Sequence, residues 1–131
     1  MNQSRKRILV ADGHEDVLII LERLLEDAGF DTTTVWTAKE ALKLLDSQAF
    51  DLVLVNEYLP DAECDEVLTA LRKRPVHTPC IVMQPSPPEI IDLTRFEALG
   101  AKDIVCKHCF RRIVEIVREC LLCDRKPILA A

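Results

Sequence analysis

At 131 residues the chain suits one domain with one hydrophobic core, and 49% apolar with 30% charged residues is the mix of a soluble globular protein. A net charge of −5 argues against a nucleic-acid binder, which needs a basic surface to neutralise phosphates. No apolar run is long enough to span a membrane, and the run after the basic start covers only residues 8–11, too short for an export signal.

The chain opens on Arg5, Lys6 and Arg7, a solvated lead-in to a short buried strand at residues 8–11. Val17, Ile20, Leu21, Leu24, Leu25 and Ala28 then fall at helical spacing, and Gly29 stands where that helix would stop. A β-branched stretch at 32–36 follows, then a short helix carrying Ala41, Leu42 and Leu45 on one side. Leu52, Val53, Leu54 and Val55 form a strand buried on both faces and ending on Asn56. A helix over about 63–73 bears Val67, Leu68 and Leu71, and residues 80–83 make a fourth strand. Pro85, Pro87 and Pro88 stiffen the connection to a helix ending near Gly100. A weak fifth strand spans 103–106. The last helix carries Phe110, Ile113, Val114, Val117 and Leu121. Five β-α repeats with short connections imply a parallel sheet covered by helices on both faces. Residues 1–123 read as one domain and 124–131 as a short tail.

In open parallel sheets, chemistry gathers outside the carboxyl ends of the strands. Three such ends carry Asp12, Asn56 and Lys107. With the element order, and with Phe50-Asp51, Leu59-Pro60, Thr78-Pro79 and Gly100-Ala101, they resemble the receiver domain of two-component response regulators over roughly residues 6–123. The resemblance implies a flavodoxin-like fold, a five-stranded parallel sheet of order 2-1-3-4-5. It also implies a chemistry. A strand-three aspartate accepts a phosphoryl group from a histidine kinase. Magnesium is held by that aspartate, an acidic pair after strand one and a backbone carbonyl two residues past the acceptor. A Thr or Ser after strand four and a strand-five lysine bind the phosphoryl oxygens.

Carried over residue by residue, that pattern fails at most chemical positions. The acceptor is Asn56, an amide that is no nucleophile and a weak metal ligand. The acidic pair is Asp12-Gly13, the hydroxyl position is Gln84, and the aromatic switch position is Ile104. His108 replaces the proline that usually follows the lysine, so only Asp12 and Lys107 persist. Magnesium wants an octahedral set of hard oxygens with one or two carboxylates. The weak candidates here are Asp12, the Asn56 amide oxygen and the Tyr58 carbonyl, so binding is expected to be weak or absent. Glu57, His14 and Glu15 are expected at the surface rather than as replacement ligands. Lys107 is expected to pair with Asp12 and donate to the Asn56 carbonyl oxygen, with Gln84 adding a second amide.

Cys106-x-x-Cys109 and Cys120-x-x-Cys123 have zinc-knuckle spacing. A helix from 110 onward would separate Cys109 from Cys120 by about 16 Å along its axis, beyond one zinc or one disulfide. Cys106 then fills a strand position and Cys120 the helix core face, with a redox role for Cys106 and Cys109 as a minor alternative. His108, Cys64, His77 and Trp36 carry no argued role.

Receivers usually communicate through the face of helix four, strand five and helix five. Helix four carries Ile90, Ile91, Leu93, Phe96 and Leu99, more apolar groups than one buried stripe requires. Helix five adds Ile116 and Leu122 off its core stripe beside Arg111, Arg112 and Arg118, so an arginine-rimmed apolar partner surface is expected. The resulting expectation is a cytoplasmic, non-enzymatic receiver-like module without cofactor. It would act independently of phosphorylation by binding a signalling protein or a second copy through that face. The competing readings are phosphotransfer through Glu57 or Asp61, and a cysteine-based metal or redox protein.

Overall fold

The computed structural model describes residues 5–85 and 90–122. Five strands alternate with five helices: β1 (Arg7–Ala11), α1 (Glu15–Asp27), β2 (Asp31–Val35), α2 (Ala38–Ser47), β3 (Leu52–Asn56), α3 (Asp65–Arg72), β4 (Cys80–Gln84), α4 (Ile90–Ala98), β5 (Asp103–Cys106) and α5 (Phe110–Leu122). The strands form one sheet in the order β2-β1-β3-β4-β5, and every pairing is parallel. This is the flavodoxin-like arrangement, with strand order 2-1-3-4-5, that the resemblance to receiver domains implied.

Strand periodicity divides the core into two layers. Leu9, Ala11, Val53, Val55, Val82 and Ile104 point to the face covered by α2, α3 and α4, where they meet Ala41, Leu45, Leu68 and Phe96. Ile8, Val10, Leu52, Leu54, Ile81, Met83 and Val105 point to the face covered by α1 and α5, against Leu21, Leu25, Ile113 and Val117. Because β3 and β4 are buried on both faces, both read as unbroken apolar runs. Gly29 and Gly100 take positive φ (101° and 94°) just past α1 and α4, a left-handed stop that favours glycine.

Several side chains sit elsewhere than their spacing suggests. Ile20 is exposed on α1, and Leu18 takes the core place beside Val17 and Leu21. Ile116 is buried rather than off the α5 stripe. Phe96, expected on the partner surface, is fully buried against the sheet with the Arg95 guanidinium 4.5 Å above its ring. Leu93 is half-buried against the same core. Helix α4 therefore turns its aromatic residue inward, and Phe96 does not contribute to the expected apolar patch. Arg111, Arg112 and Arg118 are exposed on α5 as expected, together with Leu122. The Ile90 and Ile91 side chains, the prolines at 87 and 88, Cys123 and the tail lie outside the described residues.

Candidate functional site

The chain passes from β1 to β2 on one side of the sheet and returns to β3 on the other, so a crevice opens beyond the carboxyl ends of β1 and β3. Asp12 follows β1, Asn56 ends β3, Gln84 ends β4 and Lys107 follows β5. All four are buried. The Asp12 carboxylate, wholly removed from solvent, has the Lys107 ammonium 3.0 Å from Oδ2. That ammonium also donates to Oδ1 at 3.3 Å. Two opposite charges held this close out of water compensate each other, and neither could be buried alone at small cost. The Asp12–Lys107 pairing expected from the strand ends is present.

His14 lies at the surface, as expected, and also completes the cluster. Its backbone N–H donates to Asp12 Oδ1 at 3.0 Å, and its ring Nδ1 lies 2.9 Å from the same oxygen. Nδ1 is also 3.1 Å from the Lys107 Nζ. One tautomer donates to the carboxylate and the other accepts from the ammonium, so Nδ1 serves one of them at a time. The rest of the ring stays largely in solvent.

The two amides do not join this cluster as expected. Asn56 Nδ2 donates to the Tyr58 carbonyl at 2.8 Å, and Gln84 Nε2 donates to Glu57 Oε1 at 3.3 Å. Each amide is oriented by an oxygen acceptor, which leaves the Asn56 and Gln84 carbonyl oxygens buried and without a partner among the described residues. Lys107 makes no hydrogen bond to Asn56; its ammonium is engaged by Asp12 and His14. The Tyr58 carbonyl, a weak candidate metal ligand by the resemblance, accepts the side-chain hydrogen bond from Asn56.

Glu57 was expected at the surface but is almost wholly buried. Gln84 approaches it from β4, and Arg95 from α4 lies 3.8 Å from its Oε2. Arg95 also reaches Asp65 at 2.7 Å and Glu63 at 3.3 Å, so one guanidinium gathers three carboxylates around the β3–α3 connection. Burial raises the Glu57 carboxyl above its ordinary value, and this outweighs the lowering effect of the Gln84 hydrogen bond. No local spacing announces this network, because Glu57, Gln84 and Arg95 come from three separate elements.

Asp61 is committed elsewhere. Its two carboxylate oxygens accept from the backbone N–H groups of Ala38 and Lys39 at 2.8 and 3.0 Å, capping the first turn of α2 across the chain. Those two donors hold its carboxyl below the ordinary aspartate value. A carboxylate with a depressed folded-state pKa contributes stability above the unfolded pKa and loses it as pH falls through the folded value. Asp61→Ala is therefore expected to lower the thermal midpoint at neutral pH. The two melting curves should converge in acid, and parallel midpoints across that range would refute the capping role.

The geometry defines a class first: a doubly wound α/β domain whose acid and lysine pair at the carboxyl edge of the sheet, with an amide at the adjacent strand end. Residues 8–118 match the family described as the response regulator receiver domain, and the chain belongs to it. It is 31% identical over 102 residues to the alkaline phosphatase synthesis transcriptional regulatory protein PhoP of Bacillus subtilis, covering 78% of this chain and 42% of that protein. It is 32% identical over 106 residues to the sensory/regulatory protein RpfC of Xanthomonas campestris, covering 77% of this chain and 14% of that protein. The chain thus spans less than half the length of these relatives. Among solved structures, a CheY-like receiver domain from Methanospirillum hungatei superposes with a TM-score of 0.81 at 28% identity, over 90% of this chain and 94% of that one. The Francisella response regulator 1452 receiver domain gives 0.83 at 22% identity, over 92% of this chain and all of that one (100%), a likeness of fold. Receiver membership places the chain in two-component signalling, where such domains work through protein partners. No described helix is long and apolar enough to cross a membrane.

Proposed function

We propose that this receiver works without aspartyl phosphorylation, as a non-enzymatic protein-interaction module held in one state by its own side chains. The observation that carries the reading is the hydrogen bond from Asn56 Nδ2 to the Tyr58 carbonyl. It puts an amide in the acceptor position and engages one of the oxygens a magnesium ion would need. Asp12, the surviving acid, is neutralised by Lys107, so the lysine supplies internally the charge compensation that a metal would bring. With an amide for a nucleophile and Gly13 for the second acid, magnesium meets a poor ligand set at this edge. Glu57 and Asp61 are weak substitutes as acceptors, since each carboxylate already has hydrogen-bond partners.

The partner is a signalling protein or a second copy, engaged through the helix α4, strand β5 and helix α5 face. Exposed Arg111, Arg112 and Arg118 with Leu122 support that choice, and they favour a partner with an acidic rim. The test is incubation with acetyl phosphate and magnesium, followed by intact mass. The parent chain is expected to keep its mass. Asn56→Asp alone is expected to show no phosphodonor-dependent conformational change, read by amide hydrogen exchange over α4 and β5. A stoichiometric phosphoryl adduct on the parent chain would overturn the reading.

A further inference from the structure

One motif on the β5–α5 side of the domain carries chemistry that the interaction role does not use. Cys106 ends β5 and Cys109 immediately precedes α5, with Lys107 and His108 between them. The Cys109 N–H donates to the Cys106 carbonyl at 3.1 Å, which closes a four-residue turn. Such a turn brings its first and last Cα atoms within about 7 Å, at the edge of the range a disulfide spans. The turn sets both thiols at its two ends, and the neighbouring Cys106 side chain raises the Cys109 thiol above its ordinary value. Cys109 is exposed and Cys106 half-buried, so a small oxidant can reach the pair.

The other described cysteines differ. Burial pushes the Cys64 thiol up to about 12 and raises that of Cys80 as well, and both are shut in the core. Cys120 lies eleven residues along the chain from Cys109, on α5 itself, about 16 Å away by helical rise.

We propose that Cys106 and Cys109 are a reversible dithiol–disulfide site, oxidised by low-molecular-weight disulfides. In the first step the Cys109 sulfur, as thiolate, attacks one sulfur of the small disulfide. A protein mixed disulfide forms, and one small thiolate leaves with a proton. The Cys106 thiolate then attacks the Cys109 sulfur and expels the second small thiol. Two S–H bonds on the protein become one S–S bond, and the small disulfide is reduced to two thiols. The neighbouring Cys106 side chain raises the Cys109 pKa, so exchange is expected to be slow at neutrality.

Cys109 lines a shallow groove of about 600 Å³ together with Leu24, His108, Phe110, Arg111 and Arg112, so closure changes that lining. The turn also carries Lys107, whose backbone N–H donates to the Gln84 carbonyl at 2.6 Å. The turn is already formed, so closure leaves the Lys107–Asp12 pair in place and confines the change to the α1–α5 side.

The test is to treat the reduced full chain with glutathione disulfide in mildly alkaline buffer, quench with acid, alkylate, digest without reduction and map the peptides. The expected product is a peptide containing Cys106 and Cys109 that has lost two hydrogens and carries neither glutathione nor alkyl group. Dithiothreitol restores it. Closure in the folded chain should exceed that in the urea-unfolded chain by about tenfold, because the turn holds the sulfurs together. Cys109→Ser should abolish the closed peptide, whereas Cys120→Ser should leave it unchanged. Persistent glutathione adducts without closure, equal closure in the unfolded chain, or pairing of Cys109 with another cysteine would overturn the proposal.

Discussion

Lys107→Met is expected to destabilise the domain by about 3 to 5 kcal/mol, the range found when one partner of a buried ion pair is removed. Asp12 has no solvent exposure, and the Lys107 ammonium lies 3.0 Å from its Oδ2 and 3.3 Å from its Oδ1. Methionine fills much of the same volume but leaves the carboxylate with only the His14 contacts, both directed at Oδ1. Oδ2 then faces the interior without the ammonium that lies 3.0 Å from it in the parent chain. The double change Asp12→Asn with Lys107→Met should recover most of the loss, because it removes both charges rather than stranding one. Urea unfolding of the parent, the two single variants and the double variant checks this, provided the slopes agree and midpoints can be compared. A Lys107→Met chain within about 1 kcal/mol of the parent would show that the pair is not what holds this edge of the sheet together.

The same pair shows which parts of the site were legible in the sequence. Asp12 and Lys107 stand at strand ends fixed by long apolar runs, and a parallel sheet must bring such ends to one edge. The order of elements was legible for the same reason, since β3 and β4 are buried on both faces and leave no ambiguity of face. Helix faces were less legible. In α5, Ile113, Val114, Ile116 and Val117 lie so close in sequence that more than one stripe could face the sheet, and the structure buries Ile116. Helix α4 gave the same ambiguity, and Phe96 went inward.

Amide orientation was not legible at all. Asn56 turned to a carbonyl two residues away, and Gln84 turned to Glu57, whose burial depends on Arg95 arriving from α4. A spacing rule works within one element, whereas these contacts are made between elements. The interaction that best distinguishes this site, Asn56 with Tyr58, needs the backbone of the loop after β3 to be known before it can be drawn.

That loop also governs whether the missing acid can be put back. Gly13→Asp is expected to destabilise the domain by about 1 to 3 kcal/mol, the ordinary cost of forcing atoms into a packed site. A Cβ at Gly13 would lie 2.8 Å from Pro60 Cγ and 2.9 Å from Pro60 Cδ, well inside contact distance. The proline ring cannot swing aside as a long side chain could, so the loop or the β1–α1 connection must shift. The obstacle is packing rather than backbone, because Gly29 and Gly100 take positive φ and Gly13 does not. Gly13→Ala should therefore show most of the same loss without adding a charge. Gly13→Ala with Pro60→Ala should be markedly less destabilised than the two single changes added together. Aspartate carries a further cost that alanine does not: a second carboxylate beside Asp12 would share one ammonium, that of Lys107. Urea midpoints of Gly13→Ala, Gly13→Asp and each combined with Pro60→Ala separate the steric part from the electrostatic part. If Gly13→Ala unfolds at the parent midpoint, Pro60 is not the barrier and the electrostatic cost stands alone. If the steric part dominates, rebuilding an acidic pair at this edge requires a change at Pro60 as well as at Gly13, and substitution of Asn56 alone leaves the metal site incomplete.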